Sequence, residues 1–313
     1  MSDQTNQAAG ATGATPAREC CSPLACVRET RATLEQFGLA TKHRLGQNFL
    51  VNDAVIAHIL ELAELGADDV VLEVGPGIGT LTVGMLPRVR AVCSIEADRE
   101  LEPVLAQTCA RDGERFALVM GDALKATPQV VGERLAGIGC DRMPSKLVSN
   151  LPYQVAATLI LRFFQGWGCL DRAVVMVQAE VADRICARPG SRTYGAYTAK
   201  LALYGTVTGR FEVGPGNFMP PPHVDSAVVR IDRSPARDPR TGEPLSPERL
   251  EATARVVDAA FAQRRKTIRN SMSASGFDKA ALDAAFEACA ISATCRAETL
   301  SPEDFVRLAT ALA

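Results

Sequence analysis

Long apolar runs are missing from this 313-residue sequence. No window reaches the roughly 18 uninterrupted apolar residues of a membrane-spanning helix, which excludes an integral membrane protein of the helical kind. The start, MSDQTNQAAGATGATPA, lacks the basic region and apolar core of a secretory signal. Asp3, Glu19 and the absence of early arginines argue against a mitochondrial leader. We therefore expect a cytoplasmic protein with no membrane partner.

An excess of positive charge is also missing, since the formal net charge is −2. This excludes a wholly basic nucleic-acid coat protein, although a net value can conceal local basic patches. The ten cysteines are scattered, and half of them lie in or beside apolar or helical segments, as small buried side chains of a reducing compartment do. The tight cluster Cys20, Cys21 and Cys26 has no C-x-x-C pair and no nearby His, so we predict no metal site.

Short apolar runs alternate with helical periodicity after Asn52. Apolar residues at helical spacing, between 55 and 63, predict an amphipathic helix. Five runs of strand length follow: VVLEV (70–74), AVCSIE (91–96), FALVMG (116–121), KLVSN (146–150) and AVVMVQ (173–178). Strands that are apolar on both faces and alternate with helices indicate a mainly parallel sheet covered by helices. TVTGRFEV (206–213) and SAVVRIDR (226–233) flank a proline-rich connection, which predicts a final antiparallel pair. The fold class is α/β, a Rossmann-like sheet followed by helices.

Composition predicts four segments along the chain. Residues 1–40 are interpreted as a largely disordered leader, with a short helix through Leu34 and Phe37. Residues 41–233 form the α/β domain, and the proline- and charge-rich residues 234–247 form a linker. Residues 248–313 are expected to form a small all-helical domain.

The stretch LEVGPGIGTL follows the first strand of the sheet, where folds of this class bind ligands. Its glycines are Gly75, Gly77 and Gly79, but Thr80 stands where a dinucleotide fingerprint has its last glycine. Pro76 removes a backbone N–H that a pyrophosphate would need. The loop alone is equally compatible with a tight turn, and a dinucleotide is disfavoured.

Two carboxylates continue this pattern. Glu96 ends the second strand 21 residues after Gly75 (96 − 75), the usual spacing for a residue that binds a ribose. Asp122 follows the third strand, where it is placed to meet an adenine edge. Alternatively, Glu96 is a solvated strand end and Asp122 a helix N-cap. Together these features suit S-adenosylmethionine, whose adenosine needs the same contacts but carries no phosphate.

The stretch LVSNLPYQV (147–155) ends the fourth strand at the same edge of the sheet. The Asn150 side-chain oxygen and the Leu151 carbonyl can accept the two N–H bonds of an exocyclic amine, and Pro152 holds Leu151 extended. Tyr153 offers a ring on which a base can stack. The alternative is that Asn150 caps the next helix, Pro152 lies in its first turn and Tyr153 is core.

Five stretches together resemble the ribosomal RNA small-subunit adenine N6,N6-dimethyltransferase family over about residues 41 to 310. They are HRLGQNFL (43–50), EVGPGIGTLT (73–82), SNLPYQVA (149–156), NFMPPPHVDSAVVRI (217–231) and FAQRRKTIRNS (261–271). The last stretch separates this family from the large-subunit adenine methylases that confer macrolide resistance. His223 departs from the pattern, since a Lys is expected there.

The resemblance implies the cofactor and the residues around it. The implied contacts of S-adenosylmethionine are Asn48, Leu50, Gly75, Gly77, Glu96, Asp122 and Asn150. The implied catalytic residues are Asn150, Leu151, Tyr153 and Phe218, with Phe218 closing over the target base opposite Tyr153. The alternative for Phe218 is core packing beside the following strand.

Basic side chains predict where RNA binds. Arg264, Arg265, Lys266 and Arg269 fall within residues 261–270, which contain no acidic residue. A solvated helix face is the alternative, but it would be expected to carry glutamates as well. Lys42, His43 and Arg44 form a second basic run, and Arg188 with Arg192 lies beside Pro189-Gly190.

The sequence thus predicts a monomeric enzyme that dimethylates two adjacent adenines in the 3′-terminal helix of small-subunit ribosomal RNA, within the 30S subunit. One alternative is a large-subunit methylase, and another is a ribosome-assembly factor without catalytic activity. Intact Asn150, Pro152 and Tyr153 argue against the second as the sole role.

Overall fold

A seven-stranded sheet is the centre of the computed structural model, which describes residues 20–39 and 47–313. The strands are β1 (Phe49–Leu50), β2 (Val70–Val74), β3 (Ala91–Glu96), β4 (Phe116–Met120), β5 (Lys146–Asn150), β6 (Arg172–Gln178), β7 (Gly205–Val213), β8 (Phe218–Met219) and β9 (Ser226–Arg233). The helices are α1 (Val27–Gln36), α2 (Asp53–Ala63), α3 (Thr80–Met85), α4 (Glu102–Thr108), α5 (Pro128–Ala136), α6 (Ala156–Gly166), α7 (Ala179–Ile185), α8 (Ala196–Leu201), α9 (Pro247–Phe261), α10 (Ile268–Ala274), α11 (Lys279–Ala288) and α12 (Pro302–Ala311).

The strand order is β4-β3-β2-β5-β6-β9-β7, and the first five strands in this order are parallel. β9 runs antiparallel to both of its neighbours, β6 and β7. The predicted Rossmann-like sheet and its final antiparallel pair are therefore confirmed. β2 is buried along its whole length because helices cover both faces of the sheet, which explains its continuous apolar run.

The sheet has a topological switch point between β2 and β5. From β2 the chain proceeds outward through β3 and β4, and it then returns to place β5 and β6 on the other side of β2. The loops that follow β2 and β5 consequently leave the sheet in divergent directions and open a crevice at its carboxyl edge. Both stretches that the sequence assigned to chemistry, Gly75–Thr80 and Asn150–Tyr153, lie at this crevice.

Residues 20–39 correct the predicted leader. They form a turn and helix α1, in agreement with the helix predicted through Leu34, but they are packed against the α/β part of the chain. The Asp53 carboxylate accepts hydrogen bonds from the backbone N–H groups of Cys21 (3.0 Å) and Ser22 (2.8 Å). Leu34 packs in an apolar cluster with Phe49. Composition conceals this order because the anchoring groups lie far along the chain.

The segment between β9 and α9 is likewise folded, although its composition predicts a linker. Leu245 packs in the large apolar cluster beneath the sheet, and the buried Asp238 carboxylate accepts a hydrogen bond from Arg249 Nη1 (2.5 Å). The helical cluster of the C-terminal part also includes Tyr194 and Ala199, which precede β7 in the chain. The helices therefore pack on the α/β part through shared apolar clusters. No helix in the described ranges is long and apolar enough to cross a membrane.

Leu34→Ala tests whether α1 belongs to the folded unit. The Leu34 side chain is 6% exposed, so its truncation should lower the free energy of unfolding by about 2–4 kcal/mol. Urea unfolding measures the change, and the exposed neighbour Glu35→Ala is the matched control. Equal stability of the two variants would mean that α1 does not contribute to the core.

Candidate active site

A cavity of about 350 Å³ occupies the crevice at the switch point. It is lined by the glycine loop, the ends of β3 and β5, Gly121-Asp122 and residues 47–50. Such a volume is in the range of small-molecule sites. The cavity thus unites five separate stretches of the sequence at one place.

The glycine loop has the backbone conformation that its sequence suggests. Gly75 and Gly77 have φ angles of 69° and 61°, in the left-handed region that disfavours other residues. A Cβ atom on Gly75 would contact the Pro152 ring at 3.4 Å, and one on Gly77 would lie 3.1 Å from the Phe49 ring. The glycines therefore allow the loops after β2 and β5, and strand β1, to approach one another closely.

Glu96 and Asp122 both line the cavity. Glu96 is 7% exposed, and its carboxylate accepts hydrogen bonds from the backbone N–H groups of Asp98 (2.9 Å) and Gly77 (3.3 Å). Burial raises the pKa of Glu96 above its usual value. Asp122 Oδ1 accepts a hydrogen bond from Leu124 N (2.9 Å), so this residue stabilises a turn as well as facing the cavity. Glu96 is thus not a solvated strand end.

Glu73 is a cavity residue that sequence reasoning missed. Its carboxylate lies inside the sheet, where Oε2 accepts hydrogen bonds from the hydroxyls of Thr82 (2.6 Å) and Ser94 (2.7 Å). Burial raises the pKa of Glu73 to about 7. The signal in the sequence is an acidic residue inside the apolar run VVLEV, which an ordinary buried strand would not contain.

Three carboxylates, from Glu73, Glu96 and Asp122, therefore surround the cavity. Among the described residues, no Lys or Arg side chain lines it. A pyrophosphate would be repelled by the ionised members of this set, whereas a ligand that carries a sulfonium and an ammonium group would be attracted and would favour the ionised form of Glu73. The side chains present consequently fit S-adenosylmethionine and disfavour a dinucleotide.

Asn150 does not cap a helix. The N-cap of α6 is Val155, which has no side-chain capping bond. Asn150 Nδ2 instead donates to the Asn48 carbonyl (3.4 Å), an orientation that leaves Oδ1 as the acceptor. The Leu151 N–H donates to Met176 O (3.1 Å) in the neighbouring strand β6, which fixes the turn. Asn150, Leu151 and Tyr153 all line the cavity.

β1 and β8 form a short antiparallel ladder beside the site. Phe49 pairs with Met219 and Leu50 pairs with Phe218. Asn52 Nδ2 also donates to Asn217 Oδ1 (2.8 Å). The ladder joins two of the stretches that carry the family resemblance, although they are far apart in the sequence.

Phe218 does not lie where the resemblance implied. Its side chain is 3% exposed and packs in an apolar cluster with Leu50, Val213 and Val228. It lines neither this cavity nor a second one on the other side of Tyr153. The physical reason is the β1–β8 pairing, which directs Phe218 to the same buried face as Leu50. The structure therefore agrees with the alternative interpretation of Phe218 as a core residue.

A second cavity of about 310 Å³ adjoins the first. Gln47, Asn48, Tyr153 and Gln154 line both cavities. The remaining lining residues of the second cavity are Gln178, Pro221, Pro222, His223 and Val224. Tyr153 thus lies between the first cavity and a space bounded by residues 221–224, which we call the proline loop.

The predicted RNA-binding residues have unequal surroundings. Arg265 and Lys266 are exposed, and no described carboxylate pairs with either. Arg264 Nη2 donates to the Tyr194 carbonyl (3.2 Å) and lies 3.7 Å from Glu298 Oε2.

Arg269 differs from Arg265 and Lys266 because it has a carboxylate partner. It forms a bidentate ion pair with Asp283 (2.5 and 2.6 Å) that joins α10 to α11. Its contact with RNA stays a prediction. The second basic run, Lys42, His43 and Arg44, lies outside the described residues.

Comparison with known proteins gives a consistent picture. A family model described as ribosomal RNA adenine dimethylase matches residues 38–313. "Ribosomal RNA small subunit methyltransferase A" of Thermobifida fusca is 40% identical, over 90% of this chain and 93% of the relative. The protein of that name from Acidothermus cellulolyticus is 39% identical, over 93% of this chain and 95% of the relative.

Two solved structures share the fold. A dimethyladenosine transferase from Plasmodium falciparum aligns with a TM-score of 0.67 and 23% identity, over 83% of this chain and 95% of that structure. The 23S rRNA methyltransferase ErmE aligns with a TM-score of 0.61 and 26% identity, over 85% of this chain and 99% of that structure.

Glu73→Gln tests the buried carboxylate. The pKa of Glu73 in the folded protein, about 7, is above the usual 4.5, so the native state holds a proton that the unfolded chain releases. The stability that this proton contributes is complete below about pH 4.5 and is lost as the pH rises through 7. Between pH 4.5 and 7, the free energy of unfolding of the wild type should fall by roughly 3 kcal/mol relative to that of Glu73→Gln.

Urea unfolding at a series of pH values measures this difference. The exposed Glu114→Gln is the control and should follow the wild type at every pH. Parallel stability curves for Glu73→Gln and the wild type would contradict the assignment.

Proposed function

Because the chain belongs to the ribosomal RNA adenine dimethylase family, we propose that it transfers methyl groups from S-adenosylmethionine to the N6 amines of two adjacent adenines near the 3′ end of small-subunit ribosomal RNA. One observation carries this proposal: the Asn150–Tyr153 turn lies at the switch point, between a carboxylate-rich cavity and a second cavity that opens beside it. The turn therefore separates a place for the methyl donor from a place for the base.

The first cavity holds the cofactor in this proposal. Glu96 binds the ribose hydroxyls, Asp122 lies at the adenine edge, and the backbone of Gly75 and Gly77 follows the methionine portion. Asn48 and Leu50 close the cavity from the β1 side. When bound, S-adenosylmethionine supplies a methyl group made electrophilic by its sulfonium charge.

The chain contributes alignment rather than a proton acceptor. The adenine amine is a weak nucleophile because its lone pair is delocalised into the ring. Asn150 Oδ1 and the Leu151 carbonyl accept its two N–H bonds and thereby direct the lone pair towards the donor. No side chain needs to remove a proton beforehand, because the nitrogen becomes acidic only after it has gained the methyl group. The rate enhancement thus comes from positioning and electrostatics.

The second cavity receives the target base, which leaves its stack to reach the donor. Tyr153 supplies the stacking face, an interaction of about 1–3 kcal/mol per base. The proline loop, residues 221–224, forms the opposite wall in place of Phe218. We also propose that the enzyme acts as a monomer on the 30S subunit in the cytoplasm.

RNA outside the active site is held by a basic surface, which we define as Arg188, Arg192, Arg265 and Lys266. All four side chains are exposed. Two contacts place the segments that carry them side by side: Gly190 N donates to Glu298 O (2.7 Å), and Arg264 binds the Tyr194 carbonyl. Phosphate contacts from this surface are compatible with the overall charge of −2 because the charges are local.

Methyl transfer from labelled S-adenosylmethionine tests the function directly. Unmethylated small subunits and naked large-subunit RNA are offered separately, and the RNA digest is analysed by mass spectrometry. We expect N6,N6-dimethyladenosine in the small subunit alone. Asn150→Ala should lower turnover at least 10²-fold by removing one aligned acceptor, while subunit binding stays unchanged.

Label in the large-subunit RNA would instead identify a resistance-type methylase. Absence of label from both RNAs would favour an assembly factor without catalytic activity. Equal loss of binding and turnover in Asn150→Ala would contradict the role of Asn150.

Arg265→Gln combined with Lys266→Gln tests the basic surface. Arg264 is left intact because its contacts hold the Tyr194 segment in place. The slope of log affinity against log salt for small subunits should become shallower by about 1.4–1.8, or 0.7–0.9 for each lost phosphate contact. The matched control neutralises the exposed Arg111 and Arg115 before β4. If the double variant and the control had the same slope of log affinity against log salt, Arg265 and Lys266 would not contact the RNA.

A further inference from the structure

The Tyr153 hydroxyl contacts Ser226, the first residue of β9. Its oxygen lies 2.5 Å from the hydroxyl oxygen of Ser226, and one of the two groups donates to the other. Ser226 is 0% exposed, whereas Tyr153 is only half-buried. The contact therefore joins a ring at the edge of both cavities to an atom in the interior of the sheet.

Ser226 is held rigidly by its place in the sheet. It is the first residue of β9, and it pairs with Gln178 of β6 on one side and with Val213 of β7 on the other. Ala179 N also donates to Asp225 O (2.9 Å) immediately before it. A hydroxyl on this backbone consequently has little freedom to move.

Tyr153 has fewer constraints of its own. It lies in the turn between β5 and α6, and Val155, the N-cap of that helix, provides no side-chain capping bond. A side chain on such a turn can swing about its Cα–Cβ bond unless its far end is bound. The hydroxyl is that far end, and a hydrogen bond to it leaves the ring face open to the second cavity.

We propose that Ser226 is a positioning residue for methyl transfer, which fixes the direction of the Tyr153 side chain and thereby the location of the ring on which the target base stacks. This inference rests on the proposed function of the second cavity and adds a residue to it. Ser226 does not line either cavity, so it acts on the base through Tyr153. Its position at the start of β9 also ties the ring to the proline loop that forms the opposite wall.

A double-mutant cycle tests the proposal. Ser226→Ala and Tyr153→Phe each remove one hydroxyl, and Tyr153→Phe keeps the ring available for stacking. A base displaced by a fraction of an ångström reacts more slowly, so each variant should lower single-turnover methyl transfer to small subunits about tenfold. The affinities for subunits and for S-adenosylmethionine should remain those of the wild type. The double variant should be no slower than the slower single variant, because both changes remove the same contact.

Thr30→Val is the matched control, since Thr30 is also 0% exposed and its hydroxyl donates to the Leu24 carbonyl (3.1 Å), away from both cavities and from the basic surface. It should lower the melting temperature without changing methyl transfer. Full activity of Ser226→Ala, or rate losses that multiply in the double variant, would overturn the positioning role alone. A wild-type protein that methylates neither RNA would overturn the proposed function, and with it this inference.

Discussion

The approach of the glycine loop to the Asn150–Pro152 turn is the constraint on which the rest of the site depends. A Cβ atom on Gly75 would already be in van der Waals contact with the Pro152 ring at 3.4 Å, and the φ of 69° at Gly75 would strain any other residue, so this close approach requires glycine. Both loops leave the sheet at the switch point, and the strand order directs them apart. Their contact therefore closes the base of a crevice that the topology opens.

Charge is segregated over this framework. Glu73, Glu96 and Asp122 line the first cavity, while the exposed cations Arg188, Arg192, Arg265 and Lys266 lie on loops elsewhere. In the proposed function, a cationic methyl donor and an anionic RNA are thus attracted to different surfaces of one chain. The pKa of Glu73 is raised because its carboxyl group is buried inside the sheet. Its hydrogen-bond partners are the Thr82 and Ser94 hydroxyls, and neither carries the positive charge that would favour the ionised form.

Strands β8 and β9 complete the site from the far end of the sequence. β8 pairs with β1 and supports residues 47–50 beside the first cavity, and β9 presents Ser226 to Tyr153. The proposed stacking face, the Tyr153 ring, consequently depends on residues from both halves of the α/β part. The C-terminal helices share apolar clusters with this part, so the basic surface has a fixed position relative to the cavities.

The sequence by itself determined the elements whose signals are local. Apolar runs located the strands of the parallel sheet, and the spacing of Gly75, Glu96, Asp122 and Asn150 placed four cavity residues at its carboxyl edge, because parallel strands end at a common edge. Only the tertiary structure decided the features that depend on distant partners. Phe218 is core because β8 pairs with β1, and Arg269 is paired with Asp283. Residues 20–39 are held by Asp53, and the predicted linker is held by Arg249. Such contacts leave no periodicity in the sequence, since each is set by the packing of elements that are remote along the chain.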